Sequence, residues 1–496
     1  MTDLYLGVDL GTTAVKALLV SVSGEIVSSA SADNPVHGPG PSMQEQDFSE
    51  VWASTVLAVR ECIKNIDVSR IKAMALSAAM HGMMPLDNDK QPLRRMMTWA
   101  DGRAFDEAKL LREKAGSDIY KRTGSPATAL YFPARALWLR KNEPEIFKKT
   151  AWFSSIRDRV IMKLSGRLVT DRSHASSNGL LNIHDLDWDP FALELAGIDP
   201  EKLPPLVEPD EPVGGLLPET AKELGLPEGT IIASGAGDGG LANLGSGAIE
   251  PGQAAATIGT SGAMRKITRE PNIHPEEKSW CYYLGEKRWY SGGAINSGGI
   301  ILRWLRDGWL SDVKAEAESK GVDPYELIIE LAEKAPPGCE GLTFLPYLYG
   351  ERTPYWNPDA RGVIFGLSPS HGREHLSRAT LEGICMSMAH VFECIDDGSI
   401  KEIRATGGFT GSRFWLQLLS DVLGLPVAVP EKGEGGSALG AAVMAMKAAG
   451  AVDSLSAAVD LAPVKSVYRP DMENHDIYRE RMKLFKKLYK DLEKNF

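Results

Sequence analysis

The stretch LYLGVDLGTTAVKALLV, residues 4–20, decides the fold because two short apolar runs flank a Gly-Thr-Thr tip. Residues 4–9 and 14–20 have the apolar composition of buried strands, and a glycine permits the tight turn between them. A third run, residues 25–29, follows another glycine. The pattern predicts a β-hairpin with a Gly/Thr tip, followed by a further strand.

The tip of this hairpin has the chemistry of a phosphate site. Gly11 lets the backbone approach a phosphate, while the hydroxyls of Thr12 and Thr13 and the turn N–H groups can donate to its oxygens. Asp9, at the strand end, is placed to order Mg²⁺ through water. A purely structural hairpin explains the same residues about as well, so this motif alone leaves both interpretations open.

Helical and strand patterns alternate beyond the hairpin. A helical stretch at residues 48–65 precedes an apolar run at residues 71–79. Alternation of this kind predicts an α/β sheet domain.

A second segment repeats the opening pattern. Residues 254–258 are small and apolar, GTSG at residues 259–262 forms the predicted turn, and a strand continues from residue 263. Two halves with one Gly/Thr hairpin each indicate duplicated domains that face each other, and we place these domains at residues 1–248 and 249–496. The alternative is that so short a similarity arose by chance.

A third glycine-rich element, ATGGFTGS at residues 405–412, lies between a strand-like run at 402–405 and a helical run at 413–423. Such a strand-to-helix turn suits a nucleotide. The alternative is that its glycines serve only the tight packing of a helix on a sheet.

Asp238 is a lone carboxylate in IIASGAGDGG, residues 231–240, where an apolar strand runs into glycines that leave space around it. Phosphoryl transfer needs a group that accepts the proton of the attacking hydroxyl, together with Mg²⁺ and backbone donors around the phosphate. A helix N-cap is the alternative, and this segment alone favours it. Asp238 is therefore a candidate catalytic base, and a second candidate Mg²⁺ ligand, whose role depends on the surrounding motifs.

Two further clusters follow apparent strand ends, at Met80-His81 and at Trp99 to Arg103. Trp99 offers an apolar face to a carbon chain, and Asp101 and Arg103 offer hydrogen bonds to hydroxyls or a carboxylate. We predict that these residues bind a small-molecule substrate. The alternatives are a structural role for His81 and a helix-starting role for Asp101 and Arg103.

Composition and charge limit the class of protein. A chain of 496 residues with 43% apolar and 24% charged side chains is typical of a folded two-domain enzyme, and its net charge of −11 argues against nucleic acid or an anionic membrane as partner. Five scattered cysteines without CxxC spacing, and a start without an apolar signal segment, predict a cytoplasmic protein.

Residues 477–492 predict a helix packed on its own domain rather than on a membrane surface.

Taken in order, these motifs resemble the FGGY carbohydrate kinases over nearly the whole chain. The most specific stretch is GVIFGLSPSHGREHLSRATLE, residues 362–382, which matches the family's C-terminal signature at every defined position. The N-terminal signature is expected at residues 131–142, where Arg135 stands in place of Lys and Phe132 in place of a small residue or Pro.

The resemblance implies two actin-like domains of the ribonuclease H type, with ATP and substrate in the cleft between them, and it places the catalytic base on Asp238. It assigns nucleotide contacts to Thr12, Thr13, Thr260, Gly299, Arg303, Gly408 and Ser412, to which the glycine-rich turns themselves add Asp9, Gly11, Gly259 and Gly407. Arg303 and Ser412 are not the side chains that glycerol kinases have at these positions.

Within the family the fit is closest to gluconokinases. The matching stretches are TWADGR at 98–103, YKRTGSP at 120–126, AATIGTSGAMR at 255–265, GGAINSGG at 292–299 and GERTPYWNPDARG at 350–362. Xylulokinases are the near alternative, because Met80-His81-Gly82 and Asp101-Gly102-Arg103 resemble their substrate site equally well.

The predicted reaction is transfer of phosphate from ATP, with Mg²⁺, to a terminal hydroxyl of a sugar or sugar acid. D-gluconate is the first expectation and D-xylulose the second, with a homodimer left open. An actin-like ATP-binding regulator without sugar kinase activity is the alternative from a different class of protein.

Overall fold

The computed structural model describes residues 2–496, apart from the side chain of Glu434. The strands of its first half are β1 (Leu4–Leu10), β2 (Ala14–Ser21), β3 (Ile26–Asp33), β4 (Glu45–Gln46), β5 (Ile71–Ala78), β6 (Met84–Leu86), β7 (Met96–Met97), β8 (Trp152–Ser154), β9 (Thr170–Asp171), β10 (Leu181–Asn182), β11 (Asp187–Trp188), β12 (Leu206–Val207), β13 (Pro212–Gly215) and β14 (Ile231–Gly237). The helices of this half are α1 (Phe48–Ile63), α2 (Phe105–Thr123), α3 (Phe132–Asn142), α4 (Pro144–Lys149), α5 (Ile156–Ser165), α6 (Arg172–Ser176), α7 (Pro190–Ala196), α8 (Pro218–Leu224) and α9 (Asp238–Gly245).

The first large sheet has six strands in the order β13-β14-β5-β1-β2-β3. β1 pairs antiparallel with β2, which pairs antiparallel with β3, while β1 and β14 both run parallel to β5. The predicted hairpin and third strand are thereby confirmed. The carboxyl ends of β1, β5 and β14 lie side by side, because Leu10 pairs with Ala78 and Ala78 pairs with Gly237.

The second half continues with β15 (Gln253–Ile258), β16 (Gly262–Thr268), β17 (Trp280–Gly285), β18 (Arg288–Ile295), β19 (Thr343–Leu345), β20 (Val363–Phe365), β21 (Glu402–Thr406), β22 (Val427–Pro430) and β23 (Val464–Tyr468). Its helices are α10 (Gly299–Trp304), α11 (Ser311–Lys320), α12 (Pro324–Lys334), α13 (Arg373–Ile395), α14 (Arg413–Leu423), α15 (Gly436–Ala448), α16 (Ala458–Leu461) and α17 (Met472–Leu492). Short 3-10 turns span Val68–Arg70, Pro200–Lys202, Cys339–Gly341, Gly408–Gly411, Gly433–Gly435, Leu455–Ala457 and Glu493–Asn495, and a π-helical turn spans Leu305–Trp309.

The second large sheet repeats the plan of the first. Its seven strands have the order β17-β18-β16-β15-β21-β22-β23. β15 and β16 form the antiparallel hairpin, β18 extends it, and β21 and β22 add in parallel on the other side of β15. A hairpin-led strand followed by parallel strands in both halves confirms the predicted pair of ribonuclease H-like, actin-like domains.

The two domains meet through the helices α9 and α15, which cross at glycines. A Cβ on Gly440 would lie 2.1 Å from the carbonyl oxygen of Leu241, and one on Gly7 of β1 would lie 1.9 Å from that of Ala438. Only glycine permits these approaches, since real Cβ atoms do not come so close to backbone oxygen. α15 therefore packs on the first sheet although it comes from the second half of the chain, and the predicted division at residue 248 stays a prediction.

The C-terminal helix packs on its own domain, as the sequence predicts. α17 begins at Met472, where Asp471 caps it, and it buries Tyr478, Phe485 and Tyr489 against the core of the second domain. Across residues 2–496, no helix is both long and apolar enough to cross a membrane.

Candidate active site

A cavity of about 500 Å³ lies between the two domains and is bordered by both Gly/Thr turns. It brings together residues that are far apart in the sequence but were singled out from it: Thr12, Thr13, Met80, His81, Trp99, Asp238 and Thr260. The parallel strands explain the convergence, because β1, β5 and β14 end at one edge of the first sheet and their loops open toward the second domain.

Asp238 is the first residue of α9 and lines this cavity. Gly237 occupies the N-cap position and the helix has no side-chain cap, so the N-cap alternative for Asp238 is wrong. The carboxylate accepts a hydrogen bond of 2.6 Å from the N–H of Gly239. Burial, reinforced by the Asp9 carboxylate and opposed by Arg265, raises the pKa of Asp238 to about 6. Such a carboxylate is ionised at neutral pH yet basic enough to accept a proton.

Asp9 is the penultimate residue of β1 and lies within electrostatic reach of Asp238. Its two oxygens accept hydrogen bonds from Ser77 at 2.6 Å and from Ser437 at 3.0 Å, and burial raises its pKa. Ser437 belongs to α15 and was not found from the sequence. Mg²⁺ in kinases is usually held by one or two carboxylates together with phosphates and water. The Asp9 and Asp238 pair fits that requirement, although residues 2–496 contain no cluster of three or more His, Cys, Asp or Glu that could hold a metal without a nucleotide.

Side chains from elsewhere in the first domain hold the first Gly/Thr turn. Asn34 donates to the carbonyl of Gly11 at 2.8 Å and Gln46 donates to that of Thr12 at 2.9 Å. Trp99 donates from its indole nitrogen to the Thr12 hydroxyl at 2.9 Å. Because protein donors occupy both carbonyls, the partial negative charge at the turn is reduced, which favours an anion there.

A second cavity, of about 390 Å³, continues from the second Gly/Thr turn into the second domain. It brings together six of the predicted nucleotide residues, Gly259, Thr260, Gly299, Arg303, Gly408 and Ser412, beside the aromatic side chains Tyr325, Phe409 and Trp415. The predicted residues Asp9, Gly11 and Gly407 are not among the lining residues of either cavity. Its size and mixed apolar and polar lining suit an adenosine group.

The backbone around this second cavity explains why glycines are needed. The N–H of Gly299 donates to the carbonyl of Gly259 at 2.7 Å, which docks α10 onto the turn. Gly407 has φ of 98°, and a Cβ there would lie 2.5 Å from the carbonyl oxygen of Ile258. Ser412 accepts a hydrogen bond from the N–H of Trp415 and caps α14. The third glycine-rich element therefore serves helix packing as well as the cavity.

His81 lies on the cavity wall as a neutral side chain. Burial lowers its pKa to about 3, and its Nδ1 lies 2.6 Å from the carbonyl oxygen of Ser177. A neutral ring in that position donates from Nδ1, so Nε2 is left as an acceptor. The edges of Tyr131 and Tyr282 pack around the ring at centroid distances of 5.2 and 5.9 Å. The histidine can thus accept a hydrogen bond from a substrate hydroxyl, whereas it cannot supply a positive charge.

Asp101 and Arg103 lie behind the wall rather than among the lining residues. Asp101 accepts a hydrogen bond from the N–H of Gln44 at 2.8 Å and another from Nε of Arg103 at 2.8 Å. Arg103 also donates to Glu45 at 2.7 Å. In this structure their charges are satisfied by each other, and the pair positions Gln44, which does line the cavity. Their direct contact with substrate stays a prediction.

Arg135, one of the two residues that depart from the N-terminal signature, has a structural role. It is fully buried and donates to the backbone carbonyls of Ala129 and Met97 at 3.1 and 3.0 Å, and also to those of His81 and Thr98. It therefore fixes the two loops that carry the predicted substrate residues, and its long planar guanidinium is suited to reach several carbonyls at once.

Two cavity residues, Arg265 and Arg352, were not found from the sequence. Both lie in stretches typical of gluconokinases, AATIGTSGAMR and GERTPYWNPDARG. The strand period could have indicated Arg265, because it falls two residues after Ala263 and hence on the same face of β16. Nothing local predicts that Arg352 faces the cleft.

Comparison with known proteins agrees with this arrangement. The N-terminal domain of the FGGY family of carbohydrate kinases matches residues 4–245, and its C-terminal domain matches residues 254–449. A gluconokinase of Bacillus subtilis (strain 168) is 39% identical over 503 aligned residues, which cover 100% of this chain and 97% of the relative. A xylulose kinase of Escherichia coli (strain K12) is 31% identical, with 99% of each chain covered.

Solved structures show the same likeness. A gluconate kinase from Lactobacillus acidophilus superposes with a TM-score of 0.93 at 30% identity, covering 99% of this chain and 98% of the other. A xylulose kinase from the same organism gives the same TM-score, identity and coverage. With both domains matched in order, and with relatives above 30% identity along its full length, the chain belongs to the FGGY family of carbohydrate kinases.

Proposed function

We propose that this kinase transfers the γ-phosphoryl group of ATP to a terminal hydroxyl of D-gluconate. One observation supports phosphoryl transfer above all: the Asp238 carboxylate, with a pKa of about 6, faces a cavity bordered by two turns suited to phosphate. The choice of gluconate is supported by the gluconokinase of Bacillus subtilis, which is 39% identical over the full chain.

In the proposed mechanism, Asp238 accepts the proton of the hydroxyl as its oxygen attacks the γ-phosphorus in line and the bond to the β-phosphate oxygen breaks. The N–H groups and hydroxyls of Thr12, Thr13 and Thr260 stabilise the charge on the transferring group. His81 orients the substrate by accepting a hydrogen bond from one of its hydroxyls. Adenosine occupies the cavity of about 390 Å³ beside Arg303.

Asp9, acting through water, and Asp238 would hold the Mg²⁺ that accompanies ATP. When bound, the ion neutralises charge on the phosphate oxygens. In support, burial raises the pKa values of both carboxylates, so a nearby cation would stabilise their ionised forms.

A cytoplasmic location and a small-molecule substrate, without nucleic acid as partner, complete the proposal. All five cysteines are free, and Cys62, Cys281, Cys339 and Cys385 are buried, which is ordinary for a protein in a reducing compartment. The net charge of −11 disfavours binding to polyanions.

D-xylulose is the second candidate substrate, because xylulose kinases match the full chain at 31% identity and with a TM-score of 0.93. A coupled assay of ADP release with D-gluconate, D-xylulose, glycerol and L-ribulose at equal concentrations distinguishes these candidate substrates. We expect the highest kcat/KM for D-gluconate. A clear preference for D-xylulose would show that D-xylulose, and not D-gluconate, is the substrate. ATP turnover that no sugar stimulates would favour an actin-like ATP-binding regulator without sugar kinase activity.

A further inference from the structure

The cavity that contains Asp238 has two continuations. At Thr260 it meets the cavity proposed for adenosine, and at a junction formed by Leu130, Arg352 and Trp356 it meets a wider groove between the domains. Asp238 is not among the residues that line the groove. Since the phosphate arrives from the nucleotide side, a substrate whose terminal hydroxyl lies at Asp238 directs its other end toward the junction.

Two side chains of the junction have hydrogen-bonding capacity that the protein does not fill. Nε of Arg352 and Nε1 of Trp356 are buried and have no hydrogen-bond partner within residues 2–496. The other recorded bond of the Arg352 guanidinium runs from Nη2 to the carbonyl of Ile295 at 3.1 Å. Buried donors without acceptors are destabilising, which indicates that a ligand supplies the acceptors here.

The loop that carries both donors is held in place by its own hydrogen bonds. Glu351 and Asn357 exchange two backbone hydrogen bonds of 2.8 and 2.9 Å, and the N–H of Trp356 donates to the carbonyl of Arg352 at 2.6 Å. The Glu351 carboxylate accepts from the N–H groups of Asn296 and Arg352 at 2.7 and 2.8 Å. The two donors are therefore preorganised for a ligand, which lowers the entropic cost of binding it.

The remaining charged groups of the cavity separate its two ends. Arg265 belongs to the reacting end, because it interacts electrostatically with Asp238 and packs over Gly239, where an added Cβ would lie 2.8 Å from its Nε. His81 is within electrostatic reach of Arg352 and is neutral, since its pKa is about 3. Arg352 is thus the cation that the far end of the substrate meets.

The chemistry of the junction suits an anion. A guanidinium and an indole N–H can only donate hydrogen bonds, and a carboxylate accepts them more strongly than a hydroxymethyl group does. His81, whose Nε2 is an acceptor, lies nearby for a hydroxyl of the same substrate. Building on the proposed function, we infer that Arg352 and Trp356 bind the carboxylate end of the sugar acid and thereby favour an acid over a neutral sugar or polyol.

The test compares D-gluconate with D-glucitol, in which a hydroxymethyl group replaces the carboxylate, and with D-xylulose as a second neutral substrate. Trp356→Phe keeps an aromatic ring at the junction but removes its N–H, and Arg352→Met removes the charge. We expect the ratio of kcat/KM for gluconate to that for either neutral compound to fall about 10-fold in Trp356→Phe and about 10- to 100-fold in Arg352→Met, through lost hydrogen bonds to a charged group. Calorimetry without ATP should show gluconate affinity reduced by similar factors.

Lys109→Met is the matched control, because it removes a cation from the adjoining groove but not from the junction. It should leave gluconate affinity and the ratio unchanged. An equal fall in Lys109→Met would attribute the preference to general attraction of anions by the groove, and would overturn the inference.

Wild-type gluconate affinity in both junction variants, or equal losses on acid and neutral compounds, would likewise overturn it and leave Arg352 and Trp356 with a structural role. Failure of the wild type to bind or phosphorylate gluconate would instead remove the proposed function, and this inference with it.

Discussion

At the scale of single residues, the chemistry depends on how far the protein removes Asp238 from water. Its carboxylate faces a cavity, accepts a hydrogen bond from the N–H of Gly239, and is close to a second carboxylate, Asp9. Asp101, by contrast, lies behind the wall with its oxygens held by Gln44 and Arg103. Two aspartates that look alike in sequence therefore differ in whether a substrate in the cavity can reach them.

Asp238→Asn should lower kcat by about 10²- to 10⁴-fold, because the amide cannot accept the proton of the attacking hydroxyl. Binding of ATP should stay largely intact, as calorimetry would show. Asp210→Asn is the matched control, since Asp210 also has a pKa raised to about 6 by burial but lies outside the cavity. Near-normal turnover of the Asp238→Asn variant would show that Asp238 is not the catalytic base.

The pH dependence of kcat/KM should report the same group. Asp238 must be ionised to act as a base, and burial raises its pKa to about 6. The rate should therefore fall tenfold per pH unit as the pH decreases below that value, and level off above it. A profile that is flat from pH ~5 to pH ~7 would contradict an essential base of this kind.

At the scale of elements, the contact of α9 with α15 connects the catalytic groups of both domains. α9 begins with Asp238, and α15 contributes Ser437, which donates to Asp9. The helices approach this closely because glycines lie at their crossing: an added Cβ would lie 2.1 Å from the carbonyl oxygen of Leu241 at Gly440, and 2.1 Å from that of Gly436 at Gly245. Small shifts of these helices should therefore move the site as well as weaken the fold.

Gly440→Ala should destabilise the protein by about 1–3 kcal/mol, since its methyl group overlaps the carbonyl of Leu241 and the helices must separate. It should also lower kcat/KM by displacing α9. Gly308→Ala is the control, because none of the described residues to which its added Cβ could pack lies within 4 Å of it. Thermal unfolding and steady-state kinetics of both variants provide the check; equal behaviour of the two would show that the helix crossing tolerates extra volume.

At the scale of the whole molecule, the substrate cavity opens into a wider groove between the domains. This groove, of about 780 Å³, shares Leu130, Arg352 and Trp356 with the cavity. Its walls come from α2 of the first domain and from residues 349–359 and α17 of the second. Water that reaches the γ-phosphate could replace the sugar hydroxyl, so catalysis favours a movement that narrows the groove.

We therefore expect the radius of gyration in solution scattering to decrease when D-gluconate and a non-hydrolysable ATP analogue are both bound. Either ligand alone should produce a smaller change, because each contacts mainly one domain. An unchanged radius with both ligands bound, verified by calorimetry, would argue against closure of the cleft.

The two Gly/Thr hairpins, the α/β alternation and the family could all be predicted from the sequence, because these depend on local patterns of apolar residues, glycines and a long contiguous signature. The sequence also brought forward Asp238, although its own segment favoured a helix cap. Which charges face the cavity follows only from the tertiary fold: Arg103 is paired with Asp101 behind the wall, whereas Nε and Nη1 of Arg265 have no hydrogen-bond partner within residues 2–496. The reason is physical, since burial and pairing depend on partners that strand register and the crossing of α9 with α15 bring together from distant parts of the chain.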